Sequence, residues 1–347
     1  GLAIQNFHQS GLLLQGGNNT IVGNYIGLDA DGSTVAGNNT SGTGIQGGIR
    51  IESADNTIGG LTAEDRNVIS GNVFSGIAIA NAGATANLVI GNYIGTDASG
   101  TLDRGNTQEG IEIDAANSNI IGGTTVNARN IISGNGSDGI EIDSADFNIV
   151  QGNYIGADVT GTVDLGNSRD GLDINANGAD GATGNIIGGP NTNESNLIFG
   201  NDMNGIQVRN TPTIGNSILG NQVYGNGLLG IDLDSGNGGV TTNDADDGDL
   251  GHNNLQNSPV LTVADIDSTS QLTIDGTLNT SGLSQDYRVE FFRNTIATGQ
   301  DASGYGEGQD YLGFATVRTD GSGNATFSTT LTATVAAGEY ITATATG

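Results

Sequence analysis

The chain has 347 residues and a formal net charge of -29, from 38 acidic side chains against nine basic ones, all of them arginine. Nucleic acid is not expected as a partner, because its binding depends on clustered cations that neutralise phosphates, and anionic membrane surfaces are disfavoured in the same way. The lack of cysteine excludes disulfides and thiolate metal sites, and no apolar run has the length of a transmembrane helix.

A strand motif of the form G-I-x-I returns along most of the chain, and Gly is 60 of the 347 residues. Intervals of 25 to 34 residues separate its copies, which begin at Gly48, Gly76, Gly110, Gly139, Gly171, Gly205 and Gly230. A unit of this length cannot bury its own apolar face, so copies must stack on one another. Since the apolar residues alternate with a period of two, the stacked units are short strands rather than helices. The sequence therefore predicts an all-β solenoid, a parallel β-helix.

Each coil is expected to contain three short strands. The first is G-I-x-I, with residues such as Ile49 and Ile51 pointing inward. The second follows an Asn, and these Asn side chains are predicted to hydrogen-bond from coil to coil as a ladder: Asn56, Asn87, Asn119, Asn148, Asn185 and Asn216. The third strand is N-V-I-S-G-N or a close variant, and in alternate coils a longer G-N-Y-I-G excursion is expected to replace it.

The runs G-I-x-I, N-x-I-x-G-N and G-N-Y-I-G-T-D resemble the right-handed parallel β-helix repeats of large bacterial secreted and surface proteins, related in fold to pectate lyases. The resemblance covers roughly residues 1–250, and the remainder resembles the Ig-like β-sandwich segment that follows such helices. It implies a right-handed solenoid and an extracellular or cell-surface location. It does not imply an activity, because the fold hosts lyases, hydrolases, epimerases and adhesins alike.

Two domains describe the chain. Residues 1–250 form seven to eight coils, residues 251–259 form an acidic linker, and residues 260–347 form an antiparallel sandwich. The last assignment depends on alternating strand patterns at roughly ten-residue spacing, such as L-T-V-A-D-I and Y-R-V-E-F-F-R.

The outward side of the G-I-x-I strands concentrates carboxylates in three consecutive coils. They are Glu112, Asp114, Glu141, Asp143 and Asp173. Neighbours in adjacent coils are expected about 4.8 Å apart, where each like-charge contact costs on the order of 3 kcal/mol at an effective dielectric near 20. The electrostatic repulsion within the cluster therefore has to be reduced in some way.

Three ways of reducing this repulsion remain open at this stage. Calcium is the first, since it accepts six to eight oxygens in irregular geometry, and its ligands would be Glu112, Asp114, Glu141 and Asp143. Raised carboxylate pKa values are the second, and they would equip Glu112, Glu141, Asp143 and Asp173 for glycoside hydrolysis. Solvation with counterions is the third. A further calcium site is predicted near the linker, from Asp244, Asp246, Asp247 and Asp249.

Two observations disfavour an enzyme. The arginines on this face, Arg50 and Arg209, are expected to lie two or more coils from the centre of the cluster. The recurring Tyr25, Tyr93 and Tyr154 of G-N-Y-I-G are predicted to pack within the repeat rather than to stack on sugars. The sequence thus predicts a non-catalytic extracellular module with a structural or adhesive role. It would be stabilised by calcium and would contact neighbouring modules, glycans or further copies of itself end to end. The alternative is a carbohydrate-active enzyme, a polysaccharide hydrolase, lyase or epimerase, that uses the acidic face.

Overall fold

A computed structural model describes the chain except residues 41–44, 179, 234–238, 283 and 296–304. Nearly all the regular secondary structure of the described residues is β-strand. The exceptions are three short 3-10 helices at Val126–Ala128, Ala245–Asp247 and His252–Leu255. Among the residues that the structure describes, no helix is both long enough and apolar enough to cross a membrane.

Three parallel sheets run the length of the first domain and form a parallel β-helix, as predicted. The first sheet contains the G-I-x-I strands, at Leu12–Leu14, Gly47–Ile51, Ser75–Ala80, Ile111–Asp114, Ile140–Asp143, Leu172–Asn175, Ile206–Val208 and Ile231–Asp232. The second contains Thr20–Ile21, Thr57–Gly59, Leu88–Ile90, Ile120–Gly122, Ile149–Gln151, Ile186–Gly188 and Ser217–Leu219. The third contains Ala3–Ile4, Tyr25–Ile26, Val68–Ile69, Tyr93–Ile94, Ile131–Ile132, Tyr154–Ile155, Leu197–Phe199 and Gln222–Tyr224.

One apolar core fills the interior of the solenoid, because each strand turns alternate side chains inward. Ile49 and Ile51 are fully buried, as are Ile140 and Ile142 three coils later. Each coil thus shares its apolar contacts with the coils on either side, which is what makes the stack stable as a whole.

The predicted replacement of the third strand in alternate coils is wrong. Tyr93–Ile94 is itself a strand of the third sheet, in register with Val68–Ile69 on one side and Ile131–Ile132 on the other. A Tyr-Ile pair supplies the same outward and inward positions as Val-Ile or Ile-Ile, so the strand is kept and the excursion begins after it.

The excursion loops fold back over the outer face of this third sheet. Tyr93 is only 6% exposed there and packs with Leu28, Val68 and Ile131 in a second small apolar cluster. The guanidinium of Arg66 lies 4.2 Å from the centre of the Tyr93 ring. The expectation that this repeated tyrosine serves packing is confirmed.

Three asparagine ladders run along the solenoid, and in each the side-chain Nδ2 donates to Oδ1 of the next Asn at 2.8 to 3.2 Å. The first ladder contains the six predicted asparagines, Asn56, Asn87, Asn119, Asn148, Asn185 and Asn216, and is extended by Asn19, which was not predicted. The second contains Asn24, Asn67, Asn92, Asn130, Asn153, Asn196 and Asn221. The third contains Asn38, Asn72, Asn106, Asn135, Asn167, Asn201 and Asn226.

The C-terminal domain is an antiparallel sandwich of two three-stranded sheets among the described residues. One sheet contains Val260–Ile266, Gln271–Asn279 and Asn324–Thr332, and the other contains Asp310–Arg318, Asp286–Asn294 and Tyr340–Thr346. Alternate residues of both sheets build a separate apolar core around Ile274, Val289 and Phe291.

Candidate functional site

The strand register places the predicted carboxylates in columns on the outer face of the first sheet. Glu112 is opposite Glu141, and Glu141 is opposite Asp173. Asp114 and Asp143 form the neighbouring column. This face is not fully exposed to solvent, however, since the Asp173 side chain is fully buried. Solvation by bulk water is therefore not available to that carboxylate.

Two further acidic residues, at the start of two adjacent G-I-x-I strands, were missed. Asp138 and Asp170 immediately precede the motif's glycine, and both are fully buried. Oδ1 of Asp138 accepts a hydrogen bond from the backbone N–H of Asp170 at 2.9 Å, and Oδ1 of Asp170 accepts one from Asn204 at 2.8 Å. The pair thus repeats the ladder geometry with carboxylates, which brings two negative charges into the protein interior.

Three of these carboxylates converge. Asp138, Glu141 and Asp173 each offer an oxygen within 4.8 Å of the others. Beside them, Oδ2 of the buried Asp170 has no hydrogen-bond donor, and Asp138 is the strongest charge acting on it. An all-oxygen group with an unsatisfied buried carboxylate oxygen at its edge fits the donor preference of Ca²⁺. Glu112, Asp114 and Asp143, which were predicted as ligands, lie outside this converging group.

Burial is the main cause of raised pKa values across the cluster. It raises the pKa of Glu141 to about 8, with a further contribution from the charge of Asp173. It raises the pKa of Glu112 to about 7, against a hydrogen bond from Ser75 that lowers it. The pKa of Asp138 is raised to about 6 for the same reason. Without a cation, this face therefore retains protons near neutral pH.

The predicted separation of Arg209 from the cluster is wrong. Its guanidinium forms an ion pair with Asp173 and lies 3.9 Å from Glu141. An extended arginine side chain spans more than one coil, so a residue beyond the cluster still reaches its centre. Arg50, by contrast, pairs with Glu52 at 2.7 Å, away from the converging carboxylates.

Three of the four acids predicted as a junction site lie together. Asp244, Asp247 and Asp249 each offer an oxygen within 4.8 Å of the others, whereas Asp246 is not part of that group. Asp247 is already engaged, because its carboxylate accepts hydrogen bonds from the backbone N–H groups of Asn257 and Ser281 at 2.7 and 3.2 Å. Calcium at this junction stays a prediction.

Comparison with known proteins assigns the chain to no family. No protein-family model and no curated protein matches the chain. Among solved structures, the enzymatically active domain of tailspike protein 2 from bacteriophage CBA120 is similar at 14% sequence identity and a TM-score of 0.21. That match covers 86% of this chain and 48% of the tailspike domain, so the chain spans about half the length of its structural neighbour.

Proposed function

We propose that the chain is a rigid, non-catalytic extracellular module whose solenoid is stabilised by a divalent cation, most suitably Ca²⁺. The observation that carries the proposal is the convergence of Asp138, Glu141 and Asp173 beside a buried carboxylate oxygen of Asp170 that has no donor. Burial of so much negative charge is costly unless a cation compensates it.

The chain's own residues define what the cation would do. Asp138, Glu141 and Asp173 would supply its protein ligands, and water would complete a coordination shell of six to eight oxygens. Since these residues belong to adjacent coils, binding would tie those coils together. A cation that binds the folded chain better than the unfolded chain adds its binding free energy to stability.

Rigidity and location are supported by separate features. The three asparagine ladders satisfy buried polar groups continuously from the first coils to the last. A net charge of -29 keeps a chain soluble and suits secretion into a salt-rich medium. A structural or adhesive role follows from this combination of a stiff solenoid and a polar surface.

Thermal unfolding of the full chain with excess EGTA and with millimolar CaCl₂ tests the proposal. We expect calcium to raise the melting temperature of the wild type and to have much less effect on Asp138→Asn. Asp55→Asn, at an exposed position away from the cluster, is the matched control and should respond like the wild type. Equal calcium shifts in all three proteins would contradict the proposal.

A second candidate function is hydrolysis of a polysaccharide. The observation that favours it is the pair of raised pKa values at Glu112 and Glu141, about 7 and about 8, because a general acid must be protonated at working pH. The two glutamates lie opposite each other in adjacent strands. Adjacent strands stand about 4.8 Å apart, which is close to the separation of about 5–5.5 Å between the two carboxyl groups of retaining glycosidases.

Release of reducing ends from a panel of neutral and acidic polysaccharides tests this candidate. We expect Glu141→Gln to abolish release while the melting curve stays cooperative, with Asp55→Asn again as the control. Release that persists in Glu141→Gln would remove the acidic face as the catalytic site. A panel on which the wild type releases nothing would leave the cation-stabilised module as the function.

A further inference from the structure

Two of the three asparagine ladders end on side chains that lie beyond the solenoid. Asn216, the last member of the first ladder, donates its backbone N–H to Oδ1 of Asn253 at 2.8 Å. Asn226, the last member of the third, donates its backbone N–H to Oε1 of Glu307 at 3.2 Å. Next to the last member of the second ladder, the backbone N–H of Gly220 donates to Oε2 of Glu290 at 2.7 Å. The last coil therefore receives acceptors that a next coil would have supplied.

The strand edge of the last coil is also occupied. Val223, in the final strand of the third sheet, and Gly308 exchange two backbone hydrogen bonds of 2.8 Å each, in antiparallel orientation. In the second sheet, the hydroxyl of Thr346 donates to the carbonyl of Ile218 at 3.2 Å. Open backbone groups at a sheet edge are the template for pairing with another chain, and here residues of the same molecule contact two of these edges.

These contacts are polar rather than a fusion of two apolar cores. The solenoid core and the sandwich core are separate clusters. Between them lies a cavity of about 670 Å³, lined by Ile218 and Val223 of the last coil and by Tyr287 and Phe292 of the sandwich. Among the described residues, hydrogen bonds and one backbone bridge are therefore the contacts that join the sandwich to the solenoid.

We infer that the sandwich domain, with the segment that precedes it, is the C-terminal cap of the solenoid. Its role is to satisfy the last backbone donors of the ladders and to block the addition of further chains at this end. Glu307 is the centre of the cap, since its two carboxylate oxygens accept from the consecutive N–H groups of Gly225 and Asn226. Asn253 supplies the equivalent acceptor for the first ladder. The inference does not depend on a cation or on any activity.

Hydrogen–deuterium exchange of the full chain tests the cap. Glu307→Gln keeps the size of the side chain, but its amide nitrogen cannot accept a hydrogen bond, so one of the two N–H groups loses its acceptor. We expect the amides of residues 222–226 to lose protection by about tenfold or more, while amides of Ile140–Asp143 stay as in the wild type. Asp265→Asn, on an exposed sandwich position, is the control.

A second variant keeps the test decisive if Glu307→Gln also perturbs the sandwich. Asn253→Gly is compatible with the backbone conformation at φ 47° and removes both side-chain contacts of Asn253 with Asn216: the acceptor of its N–H and the donor to its carbonyl. Faster exchange at Asn216 in this variant, with the sandwich strands still protected, would support the cap. Unchanged protection of the last coil in Asn253→Gly would overturn the inference, as would unchanged protection in a Glu307→Gln protein whose sandwich is intact.

Discussion

Arg209 donates hydrogen bonds from Nε to both carboxylate oxygens of Asp173, at 3.0 and 2.9 Å. Asp173 is fully buried and the arginine side chain is 23% exposed, so the pair is shielded from solvent. The pKa of Arg209 is raised above its usual value, chiefly by this hydrogen bond. Arg169 adds a second protein cation at 3.5 Å from Asp138, so a bound metal would share the carboxylates with two arginines.

Replacing Arg209 should make the cluster more dependent on calcium. In Arg209→Gln the buried Asp173 loses its counter-charge, and breaking a buried pair in this way costs about 3–5 kcal/mol. We expect a large fall in the free energy of unfolding in EGTA, measured by urea denaturation, and a calcium-induced gain greater than that of the wild type.

The control for this variant is Arg318→Gln, which breaks the exposed pair with Asp286 and should change stability by about 1 kcal/mol or less. Equal losses in the two variants would show that the burial of Asp173 has no special consequence. A calcium gain no greater than in the wild type would argue against a shared cation site.

Replacing Glu141 should have the opposite effect in the absence of calcium. Glu141→Gln removes a carboxylate whose pKa is raised to about 8 by burial and neighbouring charge. At about pH 9 in EGTA, where that group is ionised, we expect the variant to be more stable than the wild type by roughly 1–2 kcal/mol. Calorimetry of both proteins with and without calcium checks the result, and a wild-type-sized calcium shift in the variant would contradict it.

The stability of the metal-free chain should fall as pH rises from about 4.5 to about 8. Glu112 and Glu141 have an ordinary pKa of 4.5 and folded-state values of about 7 and about 8. In that range the folded state binds more protons than the unfolded state, so the free energy of unfolding decreases with pH. Urea denaturation in EGTA at several pH values measures the slope.

The double variant Glu112→Gln, Glu141→Gln separates this effect from the general repulsion of a highly acidic chain. We expect its slope to be flatter than that of the wild type, whereas Asp55→Asn should leave the slope unchanged. A double variant with the wild-type slope would assign the pH dependence to other groups.

Breaking a ladder in mid-solenoid should be costly. Asn135→Ala removes the acceptor of both the backbone and side-chain N–H groups of Asn106 and leaves these buried donors unsatisfied. We expect a loss of roughly 2–4 kcal/mol by urea denaturation. Asn127→Ala, at an exposed position of the 3-10 helix Val126–Ala128, should change stability by about 0.5 kcal/mol or less; comparable losses in both would show that the ladder adds little.

The repeat period was sufficient to predict the coil, the inward isoleucines, one ladder and the columns of Glu112 and Glu141. The remaining ladders were not identified, because a local pattern cannot show which recurring asparagines come to lie above one another. Asp138 was missed because it precedes a glycine, where an acid is usual in any turn. The position of Arg209 depended on side-chain reach, which strand periodicity does not describe. The cap joins Glu307 to Asn226 across 81 residues of sequence, a contact beyond any local pattern.

The direction of the ladders also determines how this molecule would bear load. The hydrogen bonds of the three sheets and of the asparagine ladders all run from coil to coil, along the solenoid axis. Tension along the axis acts on the coil interfaces in series, so the weakest interface yields first. Compression across the axis instead meets covalent chain and a filled apolar core in every coil. The rod is therefore mechanically anisotropic. It resists compression across its axis and is weakest against tension that separates two neighbouring coils.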